Sequence, residues 1–187
     1  MKTKTKILTA LLASVLLAEP QHKLQADVFD DIGLSNDFAD ISIMARPRFE
    51  FREIDGLEGS EAFTFRVRPS IMLGKGGPIS LFADVEIIEA LLDDYQSNPL
   101  GGPQTEPFNA GYTPIGDPEF QELNQLWAKF DLVEGFSAKV GRQRIARNNA
   151  AFIGNVPWRQ GEQTFDAVEL AYTLDEDFSI TYAYADR

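Results

Sequence analysis

Charged residues stand at alternate positions along two early segments of this chain. Arg46, Arg48, Glu50 and Arg52 do so in "ISIMARPRFEFRE" (41–53), and Arg66 and Arg68 in "AFTFRVRPSIML" (62–73). A third segment, "ISLFADVEII" (79–88), sets Asp84 and Glu86 at the same two-residue spacing. Rows of guanidinium and carboxylate groups pair across neighbouring strands when they share a wet face. A further stretch, "FIGNVPWRQGEQTFDAVEL" (152–170), has the look of a catalytic loop running into a strand. It holds Gly154, Pro157, Trp158 and Gly161 together with Arg159, Glu162 and Asp166. The composition works against a catalyst there. The chain has no cysteine and one histidine, His22.

The N-terminus accounts for that histidine. Lys2, Lys4 and Lys6 precede the apolar run "ILTALLASVLLA" (7–18), and "EPQHKLQA" follows, ending on Ala26. This order is that of a secretory signal peptide, expected over residues 1–26, with an alternative cut after Ala18. Its removal takes His22 with it and leaves a mature chain, 27–187, without His or Cys. A Ser-His-Asp triad, a cysteine nucleophile and an ordinary zinc site are thereby excluded, and no metal or cofactor is expected. No later run is long and apolar enough for a transmembrane helix. The net charge of −12 argues against a nucleic-acid partner.

The elements that must position the charged rows alternate with a period of two from about residue 41. Ile41, Ile43, Ala45, Pro47, Phe49 and Phe51 oppose Ser42, Arg46, Arg48, Glu50 and Arg52. Phe63, Phe65, Val67, Pro69 and Ile71 oppose Thr64, Arg66, Arg68 and Ser70. "ISLFADVEII", "QLWAKFDL" (125–132), "FSAKV" (136–140), "DAVELAYTL" (166–174) and "FSITYAYA" (178–185) continue the pattern, giving seven expected strands. Short connections ("GKGGP", "VEG", "DED") alternate with long ones ("IDGLEGS", then 92–121, then 148–162). Outer-membrane barrels show the same asymmetry, with tight periplasmic turns and long outer loops.

Alternation also suits a soluble sandwich, in which the charged row is merely the solvated face. On a barrel interior the arginines of the first two strands sit in water and pair with Asp84 and Glu86, while the Phe/Ile/Val face meets lipid. A soluble periplasmic β-sandwich that binds glycans therefore stays open as an alternative on these grounds. The acidic residues Asp93, Asp94, Glu106, Asp117 and Glu119 fall in expected loops, where they are solvated or meet divalent cations.

The stretch "KVGRQRIARNNAAFIGNVPWRQGEQTFDAVELAY" (139–172) resembles the alginate-export family of bacterial outer-membrane porins, above all in "GRQRI" combined with "GNVPWRQGEQTFDA". "RPRFEFREIDGLEGSEAFTFRVR", "ELNQLWAKF" and "TYAYADR" are similar to the family's first hairpin, fourth strand and following strand. The resemblance implies an all-β, antiparallel up-and-down transmembrane barrel of about sixteen to eighteen strands, monomeric, in the bacterial outer membrane. The seven strands here would be its N-terminal part, and the chain is expected to be an incomplete piece of a longer one. It implies a channel, not an enzyme. Its pore would pass an anionic, alginate-like polysaccharide by passive diffusion, the alternative being a porin for other small anions or organic acids.

The resemblance implies pore-facing or loop-anchoring roles for Arg142 and Arg144, and cationic positions of the second strand for Arg66 and Arg68. With Arg46 and Arg48 from the polar strand face and Arg159 from the loop, these are the expected pore lining, and Asp84 and Glu86 the counter-charges. Each guanidinium is permanently charged and grips a carboxylate through two parallel hydrogen bonds. Many weak, exchangeable sites favour entry without trapping. Arg142 and Arg144 share parity with Val140, so a bulge at Gly141, or a place beyond the membrane, is expected to bring them to the pore. "GNVPWRQGEQ" is expected to be an ordered loop at the barrel mouth, folding inward. Trp158 would pack it against the barrel, and Arg159 would face the pore or tie the loop by salt bridges with Glu162 and Asp166.

Overall fold

Every segment with a two-residue period is a strand. The computed structural model describes residues 35–97, 105–147 and 149–186. The expected signal peptide, with His22, lies outside them. The strands are β1 (Ala39–Arg52), β2 (Ser60–Leu73), β3 (Ile79–Asp94), β4 (Phe120–Val133), β5 (Phe136–Gln143), β6 (Phe165–Thr173) and β7 (Ser179–Asp186). Each pairs antiparallel with the next, so the sheet runs in chain order from β1 to β7, an up-and-down meander open at its two edges. This all-β arrangement is the one expected of part of a barrel wall.

Turn chemistry fixes the short connections. Between β4 and β5 the turn is Glu134–Gly135, and Gly135 has φ +75°, a region closed to most side chains. A Cβ there would run into the carbonyl oxygen of Thr173. The long connections, after β1, β3 and β5, all lie at the opposite end of the strands.

The burial pattern is inverted relative to a soluble protein. On β2 the buried positions are Ser60, Ala62, Thr64, Arg66 and Arg68, and on β3 they are Asp84, Glu86 and Ile88. Glu86 is 0% exposed whereas Leu126 is 53% exposed. Ile43, Phe49, Phe51, Ile71, Leu81, Val85, Val168 and Ile180 are exposed as well. Polar groups inside and apolar groups outside lower the free energy only where the exterior solvent is hydrocarbon, and a soluble sandwich would do the reverse. Toward the short-turn end the inner face is aromatic. Phe82 stacks on Trp127 with ring centres 5.2 Å apart, and Lys139 Nζ lies 4.4 Å from the centre of the indole.

In the β3–β4 ladder, alternation fails at one position of β4. Asp84 pairs with Gln125 and Val85 with Leu123, which leaves Asn124 as an extra residue in the ladder. The bulge turns two consecutive amides, Asn124 and Gln125, toward the interior, and both are buried. The strand therefore begins at Phe120, earlier than a strict period of two indicates. The ladder through Gly141 has no such shift: Gly141 pairs with Trp127 and Ala167, and Arg142 with Leu126 and Asp166. The bulge expected at Gly141 does not form. Instead φ of +121° there lets the strand pass close to the Leu126 carbonyl, where any Cβ would collide.

Val67 and its partner Ile87 lie mid-strand on the apolar face. Val67→Arg is expected to lower stability in lipid vesicles by about 2–4 kcal/mol, read from the urea unfolding midpoint. An unchanged midpoint would mean that this face does not meet hydrocarbon.

Candidate functional site

Two adjacent strands bring four arginines onto one inner surface because their register aligns equal parities. Arg46 pairs with Arg66 and Met44 with Arg68, while Arg48 lies opposite Thr64. Like charges at this spacing repel, so the surface is stable only with carboxylates among them. β3 supplies these. Glu86 Oε1 accepts from Arg68 Nη2 at 2.6 Å and from Arg66 Nη1 at 3.2 Å. Asp84 lies farther out, its Oδ2 at 3.9 Å from Arg68 Nε and 3.5 Å from Arg144 Nη2. Asn124 and Gln125, delivered by the β4 bulge, each donate an amide to that same oxygen, at 3.4 and 3.1 Å.

The loop from Arg144 to Thr164 folds over this surface. Glu162 is its deepest charge: Arg68 Nη1 reaches its Oε1 at 2.9 Å, Arg144 Nε at 2.5 Å and Asn124 Nδ2 at 2.7 Å. Its other oxygen accepts from Asn155 Nδ2 at 2.8 Å. Burial works to raise the Glu162 pKa, but the Asn124 hydrogen bond, the charges of Arg68 and Arg144 and the Asn155 bond outweigh it and hold the carboxyl below its ordinary range. Ahead of it in the loop, Gln160 is fully buried and donates Nε2 to the Thr64 side chain at 2.9 Å and to the carbonyls of Thr64 and Arg46 at 3.2 Å each. Arg66 Nη1 donates to the Gln160 carbonyl at 2.6 Å. Arg46 gathers three consecutive carbonyls: Pro157 at 2.8 Å, Trp158 at 2.9 Å and Arg159 at 3.1 Å. Arg48 also donates to the Trp158 carbonyl and pairs with Glu50.

A second loop, between β3 and β4, meets the first through Asp117. Expected among the solvated loop carboxylates, Asp117 is instead 1% exposed. Its Oδ1 accepts from the Gln160 backbone at 2.9 Å, and its Oδ2 lies 3.3 Å from Arg48 Nε and 4.0 Å from Arg159 Nη1. Tyr95 donates its hydroxyl to the Asp117 carbonyl at 2.6 Å and forms a small core with Ile115 and Ala62. Glu119 is likewise engaged, accepting from the Ala90 backbone at 2.8 Å.

The expected site residues therefore divide. Arg46, Arg48, Arg66, Arg68, Arg144 and Arg159 converge with Asp84 and Glu86 on one surface. Arg66 and Arg68 are each 4% exposed. Arg144 and Arg159 keep 35% and 26% of their side chains open. Arg159 Nη1 also lies 3.2 Å from Glu50 Oε2. Arg142 stays apart, on the outward parity of Val140, with its Nε and Nη2 donating to the two oxygens of Asp166 at 2.9 and 3.0 Å. Arg144 escapes that parity because β5 ends at Gln143 and the chain turns inward. Sequence reading passed over Asn124, Gln125, Gln143 and Gln160. The spacing Leu123–Leu126, three instead of two, is the one signal that marks the first pair.

The family model described as alginate export matches residues 39–185. The chain belongs to the alginate-export family. Comparison with curated proteins gives no match, and comparison with solved structures gives none. Membership in this outer-membrane transport family fits an exterior that is apolar and an interior that is charged. The alginate-export wall here has its inner arginines already engaged by its own carboxylates and carbonyls.

Glu162→Gln removes the anion shared by Arg68 and Arg144, and is expected to lower stability by about 3–5 kcal/mol. The pH dependence has a definite sign. Because the folded pKa is depressed, the stabilisation is complete above the ordinary glutamate value of 4.5 and lost as pH falls through the lower folded value. The gap in urea midpoint between the parent and Glu162→Gln is therefore expected to be constant above pH 4.5 and to shrink below it. A gap that does not change with pH would rule out the carboxylate as its source.

Proposed function

We propose that this chain forms part of the wall of an outer-membrane channel through which an alginate-like polyanion diffuses passively. The observation that carries this reading is a charged, arginine-rich face turned inward beneath an apolar exterior. Against the edges of β1 and β7, which pair with no further strand among the described residues, further strands close the wall into a barrel of about sixteen to eighteen strands, one chain per pore, since lipid does not tolerate open edges.

The arginines divide the work by exposure. Arg66 and Arg68 hold the frame, while Arg144, Arg159 and, in part, Arg46 and Arg48 present positive charge to the solute. Partial neutralisation by Glu50, Asp84, Glu86 and Glu162 keeps each contact weak, so that a chain of carboxylates steps from one guanidinium to the next without being trapped. No bond is made or broken, and no catalyst is required. Passage of small organic acids through the same wall is a second use that pore width decides.

In planar bilayers the channel is expected to prefer anions and to be blocked by oligouronates. Arg144→Ala and Arg159→Ala should each move the reversal potential toward cation preference, with the double substitution moving it further. A channel indifferent to oligouronates and to both substitutions would sink the anionic-glycan reading.

A further inference from the structure

The loop between β5 and β6 is fastened to strands other than its own. Gln160, neutral and fully buried, uses its side chain and both backbone groups for this. Nε2 donates to the Thr64 hydroxyl and to the carbonyls of Thr64 and Arg46, on β2 and β1. The backbone N–H donates to Asp117 Oδ1, and the carbonyl accepts from Arg66 Nη1. Glu162 adds β3 and β4: its N–H donates to Glu86 Oε2 at 3.3 Å, and its Oε1 accepts from Asn124 Nδ2 at 2.7 Å.

The β1–β2 ladder gives the depth of this anchorage. Arg46 pairs with Arg66 and Arg48 with Thr64, and between these pairs Pro47 lies opposite Phe65 on the apolar side. Phe49 and Phe63 carry that side one step farther toward the long loops. Gln160 is therefore held at the level of residues that meet lipid, within the wall and below its mouth. The loop is also rigid. Val156 has φ +52°, a region that β-branched residues rarely enter, and such strain persists only where the surroundings over-determine it. The Arg159 N–H to Val156 carbonyl bond at 3.2 Å and the Gln163 N–H to Asn155 carbonyl bond at 3.0 Å close the turn on both sides. Trp158, expected to pack the loop against the barrel, is instead 61% exposed. The backbone carries the anchorage, through the carbonyls that Arg46 and Arg48 hold.

A rigid segment at that depth takes up lumen. From its roots on β5 and β6 it crosses the inner faces of β4, β3 and β2 to reach β1. The inner side of β7, by contrast, has only short, exposed side chains, Ser179, Thr181, Ala183 and Ala185. The width that remains lies on that side. We infer that the β5–β6 loop is the fixed constriction of the channel, keyed in place by Gln160, and that it sets the size limit for solutes. The inference rests on the channel reading and adds which segment makes the passage narrow.

The test uses the full channel in planar bilayers, with single cysteines placed where this chain has none of its own. A bulky reagent joined by a disulfide to Trp158→Cys should lower the conductance of each channel in one step that a reducing agent reverses. The same reagent on Glu176→Cys, in the exposed short turn between β6 and β7, should leave conductance unchanged. Gln160→Ala and Gln160→Glu, which loosen the loop, should each raise conductance and admit a larger polyethylene glycol than the parent does. An adduct at position 158 that leaves conductance as it was overturns the constriction and leaves the channel reading standing. A polymer cut-off that neither Gln160 variant moves removes Gln160 as the key. A parent that does not conduct overturns both readings.

Discussion

The sharing of one carboxylate by two arginines is the interaction on which this structure depends. Glu86 is fully buried between Arg66 and Arg68, which are themselves nearly so. Two guanidinium groups on one strand face cannot be enclosed without an anion, since each uncompensated charge costs several kcal/mol in a poorly hydrated place. Glu86 supplies one anion from the neighbouring strand. Glu162 supplies the second from a loop that follows Glu86 by 76 residues in the chain, and its own N–H donates back to Glu86 Oε2 at 3.3 Å. The inward position of the loop is thus a consequence of charge balance on β2, not an independent feature.

The same balance reconciles an acidic chain with an arginine-rich wall. Arg46, Arg48, Arg66, Arg68, Arg144 and Arg159 are set against Glu50, Asp84, Glu86, Asp117 and Glu162, so the enclosed surface is close to neutral with a small positive excess. The acidic surplus of the sequence lies elsewhere, partly at exposed turns such as Asp175, Glu176 and Asp177. Net charge describes the whole molecule, while a solute in the lumen meets the local field of the groups it passes.

Much of this was legible in the sequence, for a physical reason. Strand pairing on a face with a period of two is nearly local, so "FTFRVR" and "ADVE" declare both their strand and their faces. Three features were not legible. The Asn124 bulge adds one residue to β4, which a strict period of two reads as a later strand start. Arg142 obeys the parity of its strand after all and finds Asp166 on the outward side, where the family pattern alone placed it at the pore. Asp117 lies among loop carboxylates that composition assigns to solvent, and only the approach of Arg48 and the Gln160 N–H explains its burial. The bulge left one sign in the sequence, the three-residue step from Leu123 to Leu126, whereas the other two are contacts between separate segments, about which spacing carries no information.

Arginine serves here in two capacities that lysine would not combine. Against Asp166, Arg142 uses two nitrogens on two oxygens, the planar pairing expected of a guanidinium and a carboxylate. Against the loop, Arg46 uses the same geometry on neutral acceptors, spreading two nitrogens over the carbonyls of Pro157, Trp158 and Arg159. A compact ammonium offers no rigid fork to span three successive peptide oxygens. The loop carbonyls so held are the ones that a tight turn would otherwise leave to water, and Pro157 has no N–H with which to compete for a different fold. An inner face built from arginine can therefore fix its own loop through carbonyls and still leave guanidinium surface at Arg144 and Arg159 for carboxylates that pass. Structural and solute contacts then draw on one chemical group, and exposure decides which task each copy performs.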